Sequence, residues 1–158
     1  MIRFISCMVL VSLVLCAPAL ADTGASYTIL YTIALHENGS ALWTVEYRTP
    51  LATQAEQDSF AETVNTTPGF SGESVRALME TSAAQASAAT GRQMAIQDFT
   101  SSVSIQSSPT GTYGVVRYSF LWTNFAKADA GTLVMGDAFA GGLYLPTGAS
   151  LVVGIPDG

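Results

Sequence analysis

From residue 27 onward, apolar and polar positions alternate with a period of two. Tyr27, Ile29, Tyr31, Ile33 and Leu35 point one way; Thr28, Leu30, Thr32 and Ala34 point the other. β-branched and aromatic residues in that pattern predict a strand. His36-Glu37-Asn38-Gly39-Ser40 follows. Its Asn-Gly pair predicts a hairpin turn, because both residues tolerate positive φ. Alternation resumes from Ala41 to Thr49, with Ala41, Trp43, Val45 and Tyr47 on one face and Thr44, Glu46 and Arg48 on the other. Pro50 has no amide to donate and ends this second strand.

The period then changes. Thr53-Gln54-Ala55-Glu56 is a capping box, in which the threonine hydroxyl accepts from the N3 amide and the glutamate reaches back. It predicts a helix over about Thr53 to Val64 with Phe60 and Val64 inward. Asn65-Thr66-Thr67-Pro68-Gly69 breaks it. A second helix is expected from Gly72 to Thr90, where Val75, Leu78, Met79, Ser82, Ala86 and Ala89 form a stripe at helical spacing. After Leu78 the stripe is rich in small residues, so this half can lie close to a sheet. Gly91 is a natural stop.

Strand patterning returns from Arg92 to Gln106, with a serine-rich middle, Thr100 to Ser104, that reads as solvent-facing or bulged. Ser107 to Thr112 is turn chemistry. Tyr113 to Phe125 is the strongest strand, with Val116, Tyr118, Phe120 and Trp122 on one face and Val115, Arg117, Ser119 and Leu121 on the other. Lys127 to Gly131 reads as a loop and Thr132 to Met135 as a strand. Gly136-Asp137 bends the chain into the apolar segment Phe139 to Leu145, which contains Gly141 and Gly142. A last apolar run spans Leu151 to Ile155, with nothing after it in the sequence to pair with. The expected class is α+β: a mostly antiparallel, sandwich-like sheet with two helices inserted after the first hairpin.

The N-terminus changes the domain reading. Arg3, the uncharged apolar run Phe4 to Cys16, and the small residues of Ala17-Pro18-Ala19-Leu20-Ala21 form an export signal with a cut after Ala21. Residues 1–21 are therefore expected to be a signal peptide, and 22–158 a single extracytoplasmic domain, truncated at its C-terminus. The apolar run is short for a membrane span of about 20 residues. Cleavage removes Cys7 and Cys16, so the mature chain holds no thiol and no disulfide. Its core must stand on packing alone.

Charge narrows the function. The chain carries 6 basic and 12 acidic residues, net −6. A phosphate-neutralising surface is missing, so nucleic acid is not an expected partner of this segment. Nor is there a positive patch to draw it to anionic lipid.

Few residues offer chemistry. His36 is the single histidine and falls in a turn, without the further ligands a zinc site needs or the neighbours a triad needs. Glu56 and Asp58 are two apart and cannot share a helix face. The spacing around Asp129 is too sparse for a calcium loop. No cofactor, metal or catalytic set is expected. Gly136-Asp137-Ala138-Phe139-Ala140-Gly141-Gly142 has residue types of a phosphate loop but neither its lysine nor a following helix. Its glycines read as a bulge, with Asp137 accepting local amide hydrogen bonds. Asp137, Phe139 and Tyr144 are the candidate surface for a ligand or partner. Asn38-Gly39-Ser40 and Asn65-Thr66-Thr67 fit the N-glycosylation pattern, both in expected loops.

Four stretches together resemble a family of archaeal exported domains of unknown function. They are Asn38-Gly39-Ser40-Ala41-x-Trp43-Thr44-Val45-Glu46-Tyr47-Arg48; Ala89-Thr90-Gly91-Arg92-x-Met94; Gly114-Val115-Val116-Arg117-Tyr118-x-Phe120-x-Trp122-x-Asn124-Phe125-Ala126; and Gly136-Asp137-x-Phe139-x-Gly141-Gly142-Leu143-Tyr144-Leu145. The resemblance implies an extracytoplasmic domain that often precedes a transmembrane helix. In many members a cytoplasmic winged-helix DNA-binding domain follows, an arrangement that looks like a one-component membrane sensor. It carries over no ligand and no catalytic residue. This sequence stops before any such helix. The expectation is thus a non-enzymatic domain of a membrane-anchored sensor or surface protein, its ligand or partner unknown. The alternatives are a secreted adhesion module, which would self-associate through an exposed strand edge, and a carboxylate-dependent hydrolase.

Overall fold

The computed structural model describes residues 27–67, 72–129, 131–139 and 142–156. The expected export signal, the helix break at Pro68-Gly69 and Gly141 lie outside the described residues. Nine elements follow in chain order: β1 (Thr28–Leu35), β2 (Ala41–Pro50), α1 (Gln54–Thr66), α2 (Gly72–Thr90), β3 (Ile96–Ser108), β4 (Gly111–Trp122), β5 (Lys127–Asp129), β6 (Thr132–Val134) and β7 (Ala149–Gly154). The main sheet runs β3-β4-β2-β1-β7, and β5 and β6 form a separate hairpin. The fold is the expected α+β arrangement, mostly antiparallel, with both helices between the first hairpin and the later strands.

Alternation decides which face is buried. Ile33 sits opposite Trp43, and Trp43 opposite Phe120. These residues, with Tyr31, Val45 and Trp122, form the core with Met79, Ala83 and Ala86 of α2. The helix lies close because its inward residues are small. Ala83, absent from the expected stripe, is buried, and Ala89, part of it, is exposed, so the buried stripe stops at Ala86. Gly91 ends α2 at φ +72, its amide donating to the Ser87 carbonyl.

The capping box of α1 forms as read, with Thr53 as N-cap and Glu56 reciprocating. The helix continues to Thr66, two residues past the expected Val64. None of its residues is fully buried; Phe60 and Val64 are half-buried. Phe60 seats against Gly114, where a Cβ would come within 2.6 Å of the ring. A glycine in the first third of β4 thus makes room for the anchor of α1.

The first turn differs from the expected one. Only Gly39 takes positive φ, at +80. Its amide donates to the His36 carbonyl, and the Asn38 side-chain oxygen accepts from the Ser40 amide and hydroxyl. This is a turn followed by a left-handed glycine rather than a two-residue turn with both φ positive. The Gly39 carbonyl accepts from Ala126, and a Cβ on Gly39 would lie 2.5 Å from the Ala126 oxygen.

Three further differences concern strands. β3 starts at Ile96, because Arg92 to Ala95 are used in connections to the turn after β4. Its irregularity falls between Gln97 and Thr100, at Asp98 with φ 51, and the serine run is regular and exposed. Lys127 to Asp129, expected as loop, pairs with Thr132 to Val134. The final apolar run is β7, which pairs parallel with β1 through Ile29–Ala149 to Ala34–Gly154. Pairing of the last strand with the first is a non-local contact that alternation alone does not reveal.

The turn geometry ranks two substitutions. Gly39→Ala is expected to destabilise the fold by about 2 kcal/mol or more, from the left-handed penalty plus the clash with Ala126. Asn38→Ala is expected to lose about 1 kcal/mol, the worth of its local hydrogen bonds. Urea denaturation of both variants checks the order.

Candidate functional site

The candidate residues Asp137 and Phe139 lie where three connections meet below the core. Arg92, the residue after the helix stop, supplies the junction. Its Nη1 and Nη2 donate to the two carboxylate oxygens of Asp137, Nη2 at 2.9 Å. Nε donates to the Asn124 carbonyl at 3.1 Å, and Nη2 also to the Phe125 carbonyl at 3.0 Å. Asn124, at φ 51, returns its amide group to the Gln93 carbonyl at 2.8 Å. The planar fork of arginine suits this bidentate geometry. The hydrogen bonds from Arg92 hold the Asp137 carboxyl below the usual aspartate range.

The loop so fastened places Phe139 in an aromatic cluster. Trp43, Trp122, Phe125 and Phe139 contact one another in all six pairings, with ring centroids 5.3 to 6.0 Å apart. All six are tilted or edge-on, and edge-to-face contact is an arrangement favoured by ring quadrupoles. From Trp43 the row continues through Phe120, Phe99, Tyr118 and Tyr47 to Tyr27. Burial, with Tyr31, Tyr118 and Tyr27 nearby, pushes the Tyr47 hydroxyl far above its ordinary value. The indole N–H groups of Trp43 and Trp122 are buried without a hydrogen-bond acceptor.

The sequence candidates therefore divide. Asp137 and Phe139 come together, but as the fastening and plug of a packed core. Tyr144 stands apart and is 70% exposed. Asn38 is exposed with its side-chain oxygen engaged by Ser40. Asn65 is exposed in the last turn of α1 rather than in a loop, because the helix runs past its expected end. His36 is exposed in the first turn. Among the described residues no three His, Cys, Asp or Glu side chains group as metal ligands would.

Two features were missed from sequence. Arg92 was read as a strand residue; an arginine directly after a helix-stopping glycine, facing a lone aspartate in a glycine-rich loop, was the available signal. On the uncovered sheet face Arg117 lies opposite Glu46 and contacts it at 2.6 Å, while Arg48 approaches the same carboxylate at 3.6 Å. Arg48 also lies over the Tyr113 ring, 5.8 Å from its centroid.

Two outcomes follow from this geometry. Phe139→Ala is expected to cost about 3 kcal/mol, the low end for losing a packed phenylalanine, while Tyr144→Ala stays within about 0.5 kcal/mol. Thermal unfolding of both checks the contrast. A carboxylate with a lowered folded-state pKa stabilises above its unfolded value and loses that contribution as pH falls through the folded one. The stability gap between wild type and Asp137→Asn should be full above about pH 4 and close in stronger acid. Urea midpoints across that range measure it.

A comparison with the curated proteins found no match. The family model described as "Domain of unknown function (DUF7345)" matches residues 32–158, from within β1 through β7, and so takes in the sheet, both helices and the fastened loop. The chain belongs to this DUF7345 family.

Proposed function

We propose that this protein is a non-enzymatic contact domain on the outer face of the cell membrane, part of a membrane-anchored sensor or surface protein. One observation carries the reading. Ten large apolar side chains are exposed among the described residues, and five of them, Tyr144, Leu145, Val152, Val153 and Ile155, fall within residues 144–155. Concentrated apolar exposure beside a strand edge is the mark of an interaction surface. The ionisable groups support it from the other side. Asp137 is committed to Arg92, and Glu46 to Arg117 and Arg48, so these charges hold strands and loops. The leader pattern supports export. The likeness to archaeal exported domains that precede a membrane helix supports anchorage. Asn38 and Asn65 are the positions proposed for glycans.

Treating intact cells that express the full tagged chain with a protease, and sequencing the N-terminus of the purified protein, tests this reading. Digestion from outside and an N-terminus at Asp22 are expected. A chain protected inside the cell and starting at Met1 would overturn it.

A further inference from the structure

The basic residues of the described chain are not matched one to one with acids. Arg92 is held by Asp137, and Lys127 lies 3.5 Å from Asp129. Arg48 and Arg117 instead share one carboxylate, that of Glu46, on the face of the central strands turned away from α2. Arg117 takes it: its Nε donates to Glu46 Oε1 at 2.8 Å, and its Nη2 lies 2.6 Å from the same oxygen. Arg48 is left over. Its Nε lies 3.6 Å from Glu46 Oε2, beyond hydrogen-bond reach, and is buried without an acceptor. Two guanidinium groups against one carboxylate leave a positive charge uncompensated, in a chain of net −6.

Both guanidinium groups are held in place and can still be reached. That of Arg48 lies over the Tyr113 ring, and the Tyr113 hydroxyl donates to the Thr110 carbonyl. The Arg48 and Arg117 side chains are 41% and 45% exposed, and that of Glu46 only 12%. The acid is enclosed while the two cations stay open to a second acid. A carboxylate is the group that the guanidinium fork holds through two parallel hydrogen bonds. Hydroxyls flank the pair: Thr28 is opposite Arg48 and Ser102 opposite Arg117, each able to donate to the same anion.

The neighbouring rows of the sheet indicate what carries that carboxylate. Four residues along β4 from Arg117, about 13 Å at the rise of a strand, Leu121 stands opposite Leu42, which is 41% exposed. Thr44 and Ser119 fill the row between. An acidic polysaccharide offers carboxylates but no apolar side group for the leucine pair. An acidic polypeptide offers both.

We infer that Arg48 and Arg117 bind a carboxylate of an acidic polypeptide partner, whose neighbouring apolar side chain rests on Leu42 and Leu121. This surface is separate from residues 144–155, so the inference goes beyond the contact-domain reading. Binding by the purified chain is measured independently of where the cell places it.

Nuclear magnetic resonance titration of the full purified chain tests it, following the Nε–H signals of Arg48 and Arg117. The probe is a peptide of glutamates with leucine at every fourth position, compared with an all-glutamate peptide and with polygalacturonate. The leucine-bearing peptide should shift both signals and bind more tightly than the all-glutamate one. Arg48→Gln should weaken it about tenfold, the worth of one charge-assisted pair. Arg48→Lys, which keeps the stem and the charge but not the fork, should fall between and serves where Arg48→Gln alters thermal unfolding. Glu46→Gln keeps an acceptor for Arg117 and removes the competing charge, so it should bind more tightly than the wild type. Arg76→Gln, on α2 between Glu73 and Glu80, should change nothing. Added salt should weaken binding. No shift with peptide into the millimolar range overturns the inference. So does an affinity indifferent to Arg48→Gln, or a Glu46→Gln variant that binds more weakly. Polygalacturonate bound more tightly than either peptide overturns the polypeptide partner in favour of an acidic glycan.

Discussion

Everything in this domain is arranged around covering one aromatic sheet face. Ile33, Trp43, Phe120 and Trp122 stand side by side across three strands, and each has at most 4% of its surface exposed. Burial of each such side chain contributes roughly 1.5–3 kcal/mol, so the face must be covered completely. A single helix of small residues covers its middle. The end near the first hairpin turn is closed by Phe125 and Phe139, and Phe139 arrives there on a loop that Arg92 fastens through Asp137. One charged side chain thereby determines whether an apolar cluster is sealed. The residues that looked most like a binding site in a glycine-rich loop are occupied by this task.

What could be read from the sequence follows from the range of the interactions involved. The hairpin, the capping box, the limits of α2 and the strand through Phe120 are set by local periodicity and local hydrogen bonds; the first three are where the pattern put them, and β4 runs Gly111–Trp122 against the expected Tyr113 to Phe125. The largest departures involve distant residues. β7 finds its partner at the opposite end of the described chain. In the β5–β6 hairpin, β6 falls within the expected strand Thr132 to Met135, while the three residues of β5 are too few for alternation to register. Arg92 reads as an ordinary strand residue until the turn after β4 and the Asp137 loop are brought beside it. The candidate site was legible in part for the same reason: Asp137, Phe139 and Tyr144 read together as one candidate surface, but the role of the first two depended on an arginine 45 residues from Asp137.

Charge is distributed as unevenly as hydrophobicity. The paired charges Glu46, Arg48 and Arg117 lie on the uncovered face of the central strands, and Asp98 interrupts one edge. The other edge has neither. Two stretches, residues 99–116 and 142–156, hold no charged side chain at all.

The parallel pairing of β1 and β7 also has a mechanical meaning. Both strands run in the same direction, so tension that draws β1 back toward its start and β7 onward past its end slides the two along each other. The six residue pairs between them would bear that load together, whereas an antiparallel pair pulled at adjoining ends opens one hydrogen bond at a time. A pull between the first and last described strands would therefore meet the sheet in its stiffest direction.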